Sequence, residues 1–199
     1  NDDVASAPKA VKEQRHGIAG GFFMWKVGGA RAAKGGSLDD VIASAQNVVN
    51  RTKSICVGLE PCVIPALGHS NFKIEDGTME FGVGHHGEAG TKVEKLKSAS
   101  EMAQEMAETI LNDFDFEEGK EVAVMLSGLG ATPVMELYVL YDEVEKVLAK
   151  AGHKVWKTYI GNYVTSLDMN GASLTIVDLD DEIKELLSEP AVPIGMKNY

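Results

Sequence analysis

The chain has 199 residues and a net charge of −11. This length suits one large domain, or one domain and part of another. Phosphate backbones and anionic lipid surfaces attract basic proteins, so the acidic balance argues against nucleic-acid and membrane partners. Cys56 and Cys62 lack the spacing of a zinc or redox motif, and we expect two buried free thiols in a cytoplasmic protein.

The first part of the chain is predicted to be mainly helical. Residues 4–15 are polar and partly helical, and residues 17–34 are predicted to form a helix that contains five glycines. Each internal glycine costs about 1 kcal/mol relative to alanine, so this helix needs a closely packed neighbour. Ser37 is predicted to cap a second helix, because two aspartates and apolar residues at helical spacing follow it. A strand at 54–59 and an irregular passage at 61–72 come next.

Strands and helices alternate in the rest of the chain. The predicted elements are strands at 78–86, 121–126, 154–160 and 173–179, and helices at 98–114, after Thr132, and at 180–188. Thr132 is predicted to cap its helix, whose buried stripe would comprise Val134, Leu137, Tyr138, Tyr141, Val144 and Leu148. Strand–helix–strand order occurs twice. The pattern predicts an α/β (α+β) fold with a mixed β-sheet flanked by helices.

The segment 78–90 carries the strongest functional signal. Strand alternation would place an apolar set on one face and leave the other face to Gly82, Gly84 and His86. Glycines inside a strand often mark the close approach of a ligand, and Gly87 and Gly90 permit a tight turn. His86 is therefore a candidate acid, base or nucleophile. The alternative is a histidine at a strand end that only bonds to a backbone carbonyl.

A metal site at the adjacent histidines is not predicted. His85 and His86 would point to opposite faces of a strand, so they could not hold one ion together. Further ligands would have to come from Glu88 or His69.

Two other segments could carry chemistry. The glycine loop at 127–133 joins a strand to a helix, where backbone amides can bind phosphate, but a tight turn is the simpler interpretation. Ser166, Asp168 and His86 could be written as a catalytic triad, although nothing in their spacing supports one. Asp168 and Asn170 are more typical of loop-capping residues.

Four motifs resemble those of one known family. Residues 79–90 resemble the "GIHGEPG" signature of the dihydroxyacetone kinase substrate-binding subunit, and residues 127–138 look like its "NGLGATPLMELY". Residues 165–169 are similar to its "TSLDM", and residues 62–65 to its "CTVP" region. The motifs occur in the family order along essentially the whole chain. The chain is therefore identified as a member of that family.

The resemblance implies a covalent mode of substrate binding. A nitrogen of His86 would add to the carbonyl carbon of dihydroxyacetone, and the resulting hemiaminal would be phosphorylated to dihydroxyacetone phosphate. Polyols such as glycerol cannot form this adduct, and attack needs the neutral imidazole. The resemblance also implies a homodimer and a phosphoryl donor, which is either ATP or a nucleotide-bearing partner subunit of the phosphotransferase system. No cofactor is expected in this chain.

The chain departs from the family pattern in three respects. His85 replaces an apolar residue, Ala89 replaces a proline, and the N-terminal "GGGSGHEP" and "NYTGD" segments are not found. We therefore expect residues 1–16 to be the end of an N-terminal domain, and residues 17–199 to be the C-terminal, substrate-anchoring domain. This fragment alone is expected to lack kinase activity. The alternative is a paralogue that binds the ketone as a non-catalytic sensor or coactivator.

Overall fold

The computed structural model describes residues 1–70, 72–86, 88–115 and 119–193, and within them one mixed sheet carries helices on both faces. In chain order the elements are a 3-10 helix Lys9–Gln14, α1 Gly20–Ala33, α2 Leu38–Asn50, β1 Thr52–Glu60, β2 Thr78–Phe81, β3 Lys92–Lys95, α3 Ala99–Asp113, β4 Glu121–Gly128, α4 Val134–Lys150, β5 Lys154–Gly161, β6 Asn170–Asp178 and α5 Asp181–Ser188. The strand order is β3-β2-β1-β6-β4-β5. Only the β4–β5 pair is parallel among these neighbours. The predicted mixed sheet flanked by helices is confirmed.

Two apolar clusters lie on the two faces of the sheet. Helices α1, α2 and α5 cover one face, where the fully buried Phe23 and Val48 are typical members. Helices α3 and α4 cover the other face, where Met106, Ile110 and Leu137 are fully buried. Each such side chain contributes roughly 1.5–3 kcal/mol by its removal from water. These layers fix the strand ends from which the loops of the site emerge.

The helix starts follow from local hydrogen bonds. Ser37 and Asp40 form a reciprocal capping box at α2, which confirms the predicted cap, and Ser98 and Glu101 form a second box at α3. A cap of this kind contributes about 1 kcal/mol.

Helix α1 begins at Gly20, three residues later than predicted, and Asp2 accepts hydrogen bonds from the backbone at its start. The carboxylate of Asp2 accepts the backbone N–H groups of Ile18 at 3.0 Å and of Gly20 at 2.8 Å. A Cβ atom at Gly28 would lie 3.5 Å from Ala45 of α2, so this glycine does sit against a neighbouring helix, as predicted.

Two predictions about α4 are wrong. The Thr132 hydroxyl does not cap the helix, because it donates to the carbonyl of Gly171 at 2.6 Å and accepts its N–H at 2.8 Å. The buried face also differs from the predicted stripe, since Val134 and Tyr138 are 43% and 57% exposed. The residues that α4 buries are Leu137, Leu140, Val144 and Leu148. The buried face of α4 therefore includes Leu140, which the predicted stripe omitted.

Residues near the chain start pack on the sheet. Asp3 forms a parallel bridge with Ser54 of β1, and the N–H of Val4 donates to the Ser54 carbonyl at 3.0 Å. Arg15 is buried and makes a bidentate ion pair with Asp113 of α3. The assignment of residues 1–16 to the end of another domain stays a prediction.

The two cysteines are free and buried, as predicted. Burial, with the nearby Asp3 carboxyl as a second cause, raises the pKa of the Cys56 thiol well above its ordinary value of 9.0. The raised pKa keeps Cys56 in the thiol form at neutral pH, which is the less nucleophilic form. Across the described ranges, none of the helices combines the length and apolar character that crossing a bilayer requires.

Candidate functional site

Strand β2 ends at Phe81, and the prediction that it runs to His86 is wrong. Beyond Phe81 the N–H of Gly82 donates to the carbonyl of Cys56 at 2.7 Å, and the chain then leaves the sheet with a φ of +77° at Gly82. A Cβ atom at Gly82 would lie 2.7 Å from the Cβ atom of Ala5. Positive φ and this close approach together require glycine.

A closed loop follows, with His86 at its tip. The N–H of Gly84 donates to the carbonyl of Glu88 at 2.9 Å, and the N–H of His86 donates to the Glu88 carboxylate at 2.9 Å. At the far end, the N–H of Gly90 donates to the buried Glu80 carboxylate at 2.5 Å. Glu88 and Glu80 thus hold the two ends of the loop. Gly87, predicted to permit a turn, lies outside the described residues.

The two histidines lie side by side, contrary to the prediction that they point apart. Their ring centroids are 3.9 Å apart, with 40° between the ring planes. The strand periodicity does not apply to them, because both occupy a turn. The side chain of His86 is 73% exposed, whereas His85 is half-buried. Among the described residues, no three His, Cys, Asp or Glu side chains are grouped to hold a metal ion.

Charges around the loop favour an ionised Glu88 and a neutral His85. Burial opposes ionisation of Glu88, but the N–H groups of Glu88 itself and of His86 outweigh it, so the pKa of Glu88 lies below its usual value. Burial lowers the pKa of His85, and the adjacent His86 ring lowers it further. The Glu88 carboxylate lies 3.6 Å from Nδ1 of His86. That distance is too long for a hydrogen bond, but the negative charge still favours a proton on Nδ1.

The chain that carries this loop can be compared with known proteins. A family model described as the Dak1 domain matches residues 1–194. This chain belongs to the Dak1 domain family. The resemblance inferred from the four motifs is therefore confirmed.

Relatives of this Dak1 domain include kinases and a coactivator. The "PTS-dependent dihydroxyacetone kinase 1, dihydroxyacetone-binding subunit DhaK" of Listeria innocua is 39% identical over 182 residues, which cover 92% of this chain and 55% of that protein. The "D-erythrulose kinase" of Mycolicibacterium smegmatis is 37% identical over 190 residues, which cover 96% of this chain and 33% of that protein. A solved structure of the "Dihydroxyacetone kinase operon co-activator Dha-DhaQ" superposes with a TM-score of 0.88 at 29% identity and covers 95% of this chain and 59% of that one. The chain thus spans about half the length of the first relative and a third of the second.

The other motifs of this Dak1 domain begin along β1 and its neighbours β6 and β4. Gly82 bonds to Cys56 in the middle of β1, and Ser127 of β4 lies in the same row, two strands away through Ser173 of β6. Asn170 pairs with Glu60 at the end of β1. Asp168 lies just beyond Asn170 and accepts the N–H of Val63 at 2.7 Å, which is the loop-capping role that its sequence context indicated. The arrangement gives no support to the hypothetical triad with His86.

The glycine loop after β4 is a structural turn. The N–H of Leu129 donates to Gly171 at 3.1 Å, and the N–H of Ala131 donates to Met169 at 3.0 Å. Gly130 has a φ of +134°, and a Cβ atom there would lie 3.0 Å from the carbonyl carbon of Leu167. These amides are already bonded within the chain, so they are not available to a phosphate group.

Three neighbours of the His86 loop were not identified from sequence. Asp2, Asp3 and His16 act electrostatically on the loop or on the thiol beneath it. They are more than 60 positions away along the chain, so local spacing gave no sign of them. The one available signal was the pair of acids just before the apolar Val4, since adjacent carboxyl groups beside a buried segment usually have a specific partner.

Proposed function

We propose that this Dak1 domain binds dihydroxyacetone covalently, as a hemiaminal on His86, and presents it for phosphorylation to dihydroxyacetone phosphate. The observation that carries the proposal is the His86 loop itself. It exposes a single imidazole beside an ionised Glu88, on a backbone fixed by hydrogen bonds at both ends. The names of the relatives, a dihydroxyacetone-binding subunit and a D-erythrulose kinase, support a small hydroxy ketone as the substrate class.

The chemistry follows from the arrangement of His86 and Glu88. The Glu88 carboxylate, 3.6 Å from Nδ1, favours the tautomer that carries its proton on Nδ1, and in that tautomer the lone pair of Nε2 is free to attack the carbonyl carbon. The C=O π electrons move to oxygen, which is then protonated, while the Nδ1 proton is released. Glu88 is a positioning residue in this scheme, because it binds the backbone and biases the tautomer of His86 without touching the ketone. A polyol has no carbonyl carbon and is excluded.

The other requirements of phosphoryl transfer are proposed to come from outside this chain. His86 is 73% exposed, so the described residues do not exclude water from an adduct on it. The phosphoryl donor is proposed to be ATP or a nucleotide-bearing partner subunit, in an assembly built on a homodimer. The 199-residue chain alone is expected to bind the ketone at most, and to show no kinase activity.

A second candidate is a non-catalytic ketone sensor. The close superposition on the coactivator structure favours it, because that protein shares the fold over nearly the whole of this chain. Both candidates require the adduct on His86. They differ in turnover, since the full-length protein would convert the ketone when given a phosphoryl donor only if it is a kinase.

The proposal is tested by exposing the full-length protein to dihydroxyacetone. Native mass spectrometry should show an adduct, and a crystal structure should place it on a nitrogen of His86. The adduct should be absent from His86→Ala and present in His69→Ala, whose histidine lies in an exposed loop. A His86→Ala protein that still binds the ketone, and still rejects glycerol, would sink the mechanism.

A further inference from the structure

A largely apolar groove runs along α1, towards the β5 edge of the sheet. It has a volume of about 760 Å³ and is lined by α1, by the loop that follows β5 and by the segment that follows α5. Its lining residues on α1 extend from Gly21 to Ala33, which makes it about 20 Å long. Strands β2 and β5 are four strand spacings apart, or about 19 Å, and none of the described residues in 78–90 lines the groove. The groove is therefore separate from the His86 loop.

Aromatic rings form part of the groove lining. Phe22 and Tyr163 pack edge to face with their ring centroids 5.4 Å apart, and the neighbouring Trp25 is 75% exposed. Gly21 and Gly29 lie one turn to either side of Trp25, and nothing lies within 4 Å of the position that a Cβ atom would take on either. A flat ring can therefore approach the helix beside Trp25. It would continue the edge-to-face packing of the lining, which an alkyl chain cannot do.

A buried lysine supplies positive charge to the groove. Lys26 lines the groove, is only 8% exposed, and donates from Nζ to the carbonyls of Leu186 at 2.9 Å and Glu189 at 2.6 Å. An ammonium group has three N–H donors, so one has no partner among the described residues. Burial and then the charge of Lys157 lower the pKa of Lys26; the Glu189 carboxylate opposes this shift but is paired with Lys34. An anion at Nζ would accept the third N–H and offset the repulsion between Lys26 and Lys157.

A second unused donor lies behind the aromatic rings. Tyr159 is 5% exposed, and its hydroxyl has no partner among the described residues. Its ring centroid lies 5.2 Å from that of Phe22 and 6.2 Å from that of Tyr163, the two rings that line the groove. Burial and then the nearby Tyr163 raise the pKa of Tyr159 to about 12, so the hydroxyl keeps its proton and can donate. A buried donor without a partner is unfavourable, and an acceptor atom or a water in the groove would satisfy it.

We infer that this groove binds an aromatic acid, a planar ring system that carries one carboxylate group. The rings pack against Trp25 and Phe22, and the carboxylate accepts the third N–H of Lys26. The chain as a whole has a net charge of −11 and repels anions, so two neighbouring lysines at an apolar groove are a local exception. Apolar cavities of this size, with a few polar groups whose pKa values are shifted, are typical of sites for small molecules.

The test compares two ligands that differ in charge, on the full-length protein. 2-Naphthoate is the acid, and 2-naphthalenemethanol has the same rings without the charge; isothermal titration calorimetry measures both dissociation constants. The wild type should bind the acid roughly 10-fold more tightly than the alcohol. Lys26→Met should remove that preference, and Trp25→Ala should weaken the binding of both ligands by roughly 10-fold. Lys150→Met and Leu38→Ala change exposed residues outside the groove and should bind as the wild type does.

A third ligand tests the aromatic class. Decanoate is an aliphatic acid with nearly as many carbon atoms as 2-naphthoate, and it should bind roughly 5-fold more weakly. Equal affinities for these two acids would show that the groove accepts any apolar anion, and would overturn the inference of an aromatic ligand.

The remaining outcomes are equally decisive. Equal affinities of the wild type for the acid and the alcohol, or no saturable binding of 2-naphthoate, overturn the inference. If Lys26→Met fails to fold, the comparison of the two ligands on the wild type decides. The inference does not depend on the proposed function, because His86→Ala should bind 2-naphthoate as the wild type does while it lacks the ketone adduct.

Discussion

The buried carboxyl group of Asp3 makes the stability of this protein depend on pH in a way that one substitution can reveal. Asp3 is fully buried; its Oδ1 accepts the N–H of Ala5 at 3.0 Å, while Oδ2 has no partner among the described residues. Burial is the main cause that raises the pKa of Asp3 from 3.8 to about 6, and the adjacent Asp2 adds to it. Asp3→Asn keeps the acceptor for Ala5 and removes the titration.

The magnitude follows from the pKa difference. Below the unfolded value of 3.8, Asp3 is protonated in both states and does not reduce stability. As the pH rises through the folded value of about 6, stability is lost because the folded state holds the proton more tightly than the unfolded state. Each pKa unit corresponds to about 1.4 kcal/mol, so the full loss is on the order of 3 kcal/mol. About 2 kcal/mol of it should occur between about pH 4 and pH 7.

Urea unfolding followed by circular dichroism at several pH values provides the assay. The measured quantity is the unfolding free energy of Asp3→Asn minus that of the wild type. Any cost of burying the amide is the same at every pH, so it does not change how the difference varies with pH. This difference should increase by about 2 kcal/mol in favour of the variant between about pH 4 and pH 7. Asp76→Asn, in an exposed turn, should show no such change. A difference for Asp3→Asn that stays flat with pH would refute the reasoning.

Two further predictions concern the His86 loop. Gly82→Ala should lower the unfolding free energy by about 3 kcal/mol, because it combines an unfavourable positive φ with a contact to Ala5, and denaturant unfolding measures it. Glu88→Gln should reduce the dihydroxyacetone adduct on His86 by roughly 10-fold. The amide still accepts the N–H of His86, but it lacks the negative charge that favours a proton on Nδ1. Mass spectrometry over a titration with the ketone measures the fraction of protein that carries the adduct.

Matched substitutions isolate each cause. Gly68 has a φ of +70° and open space where a Cβ would be placed, so Gly68→Ala should show the backbone penalty alone. Equal losses for Gly68→Ala and Gly82→Ala would mean that the contact with Ala5 is unimportant. Glu75→Gln, in an exposed loop, removes the same charge away from the site. An adduct level in Glu88→Gln equal to that in Glu75→Gln would contradict the role assigned to Glu88.

Elements determined by local hydrogen bonds and long apolar stripes could be predicted from the sequence. The capping box at Ser37 and the continuous apolar strand at 121–126 need no knowledge of the rest of the fold. Strand β3 was missed because its sequence, Lys92–Lys95, has charged residues on both faces and an exposed valine. This edge strand forms because β2 pairs with it. Lysines are common on edge strands because their charge discourages pairing with other chains.

The position of the His86 loop could not be predicted, because residues more than 60 positions away determine it. Strand β2 pairs with β1 only at Val57 and Gly58, and the next part of the β1 edge, at Ser54, is already paired with Asp3. A strand continuing past Phe81 would meet this segment, so the chain has to turn away at Gly82. The glycines that suggested a strand face open to a ligand instead form the turn that lifts the histidine out of the sheet. His86 is thus exposed because of this turn and not because it lies on a glycine-lined strand face, and the same turn brings His85 beside it.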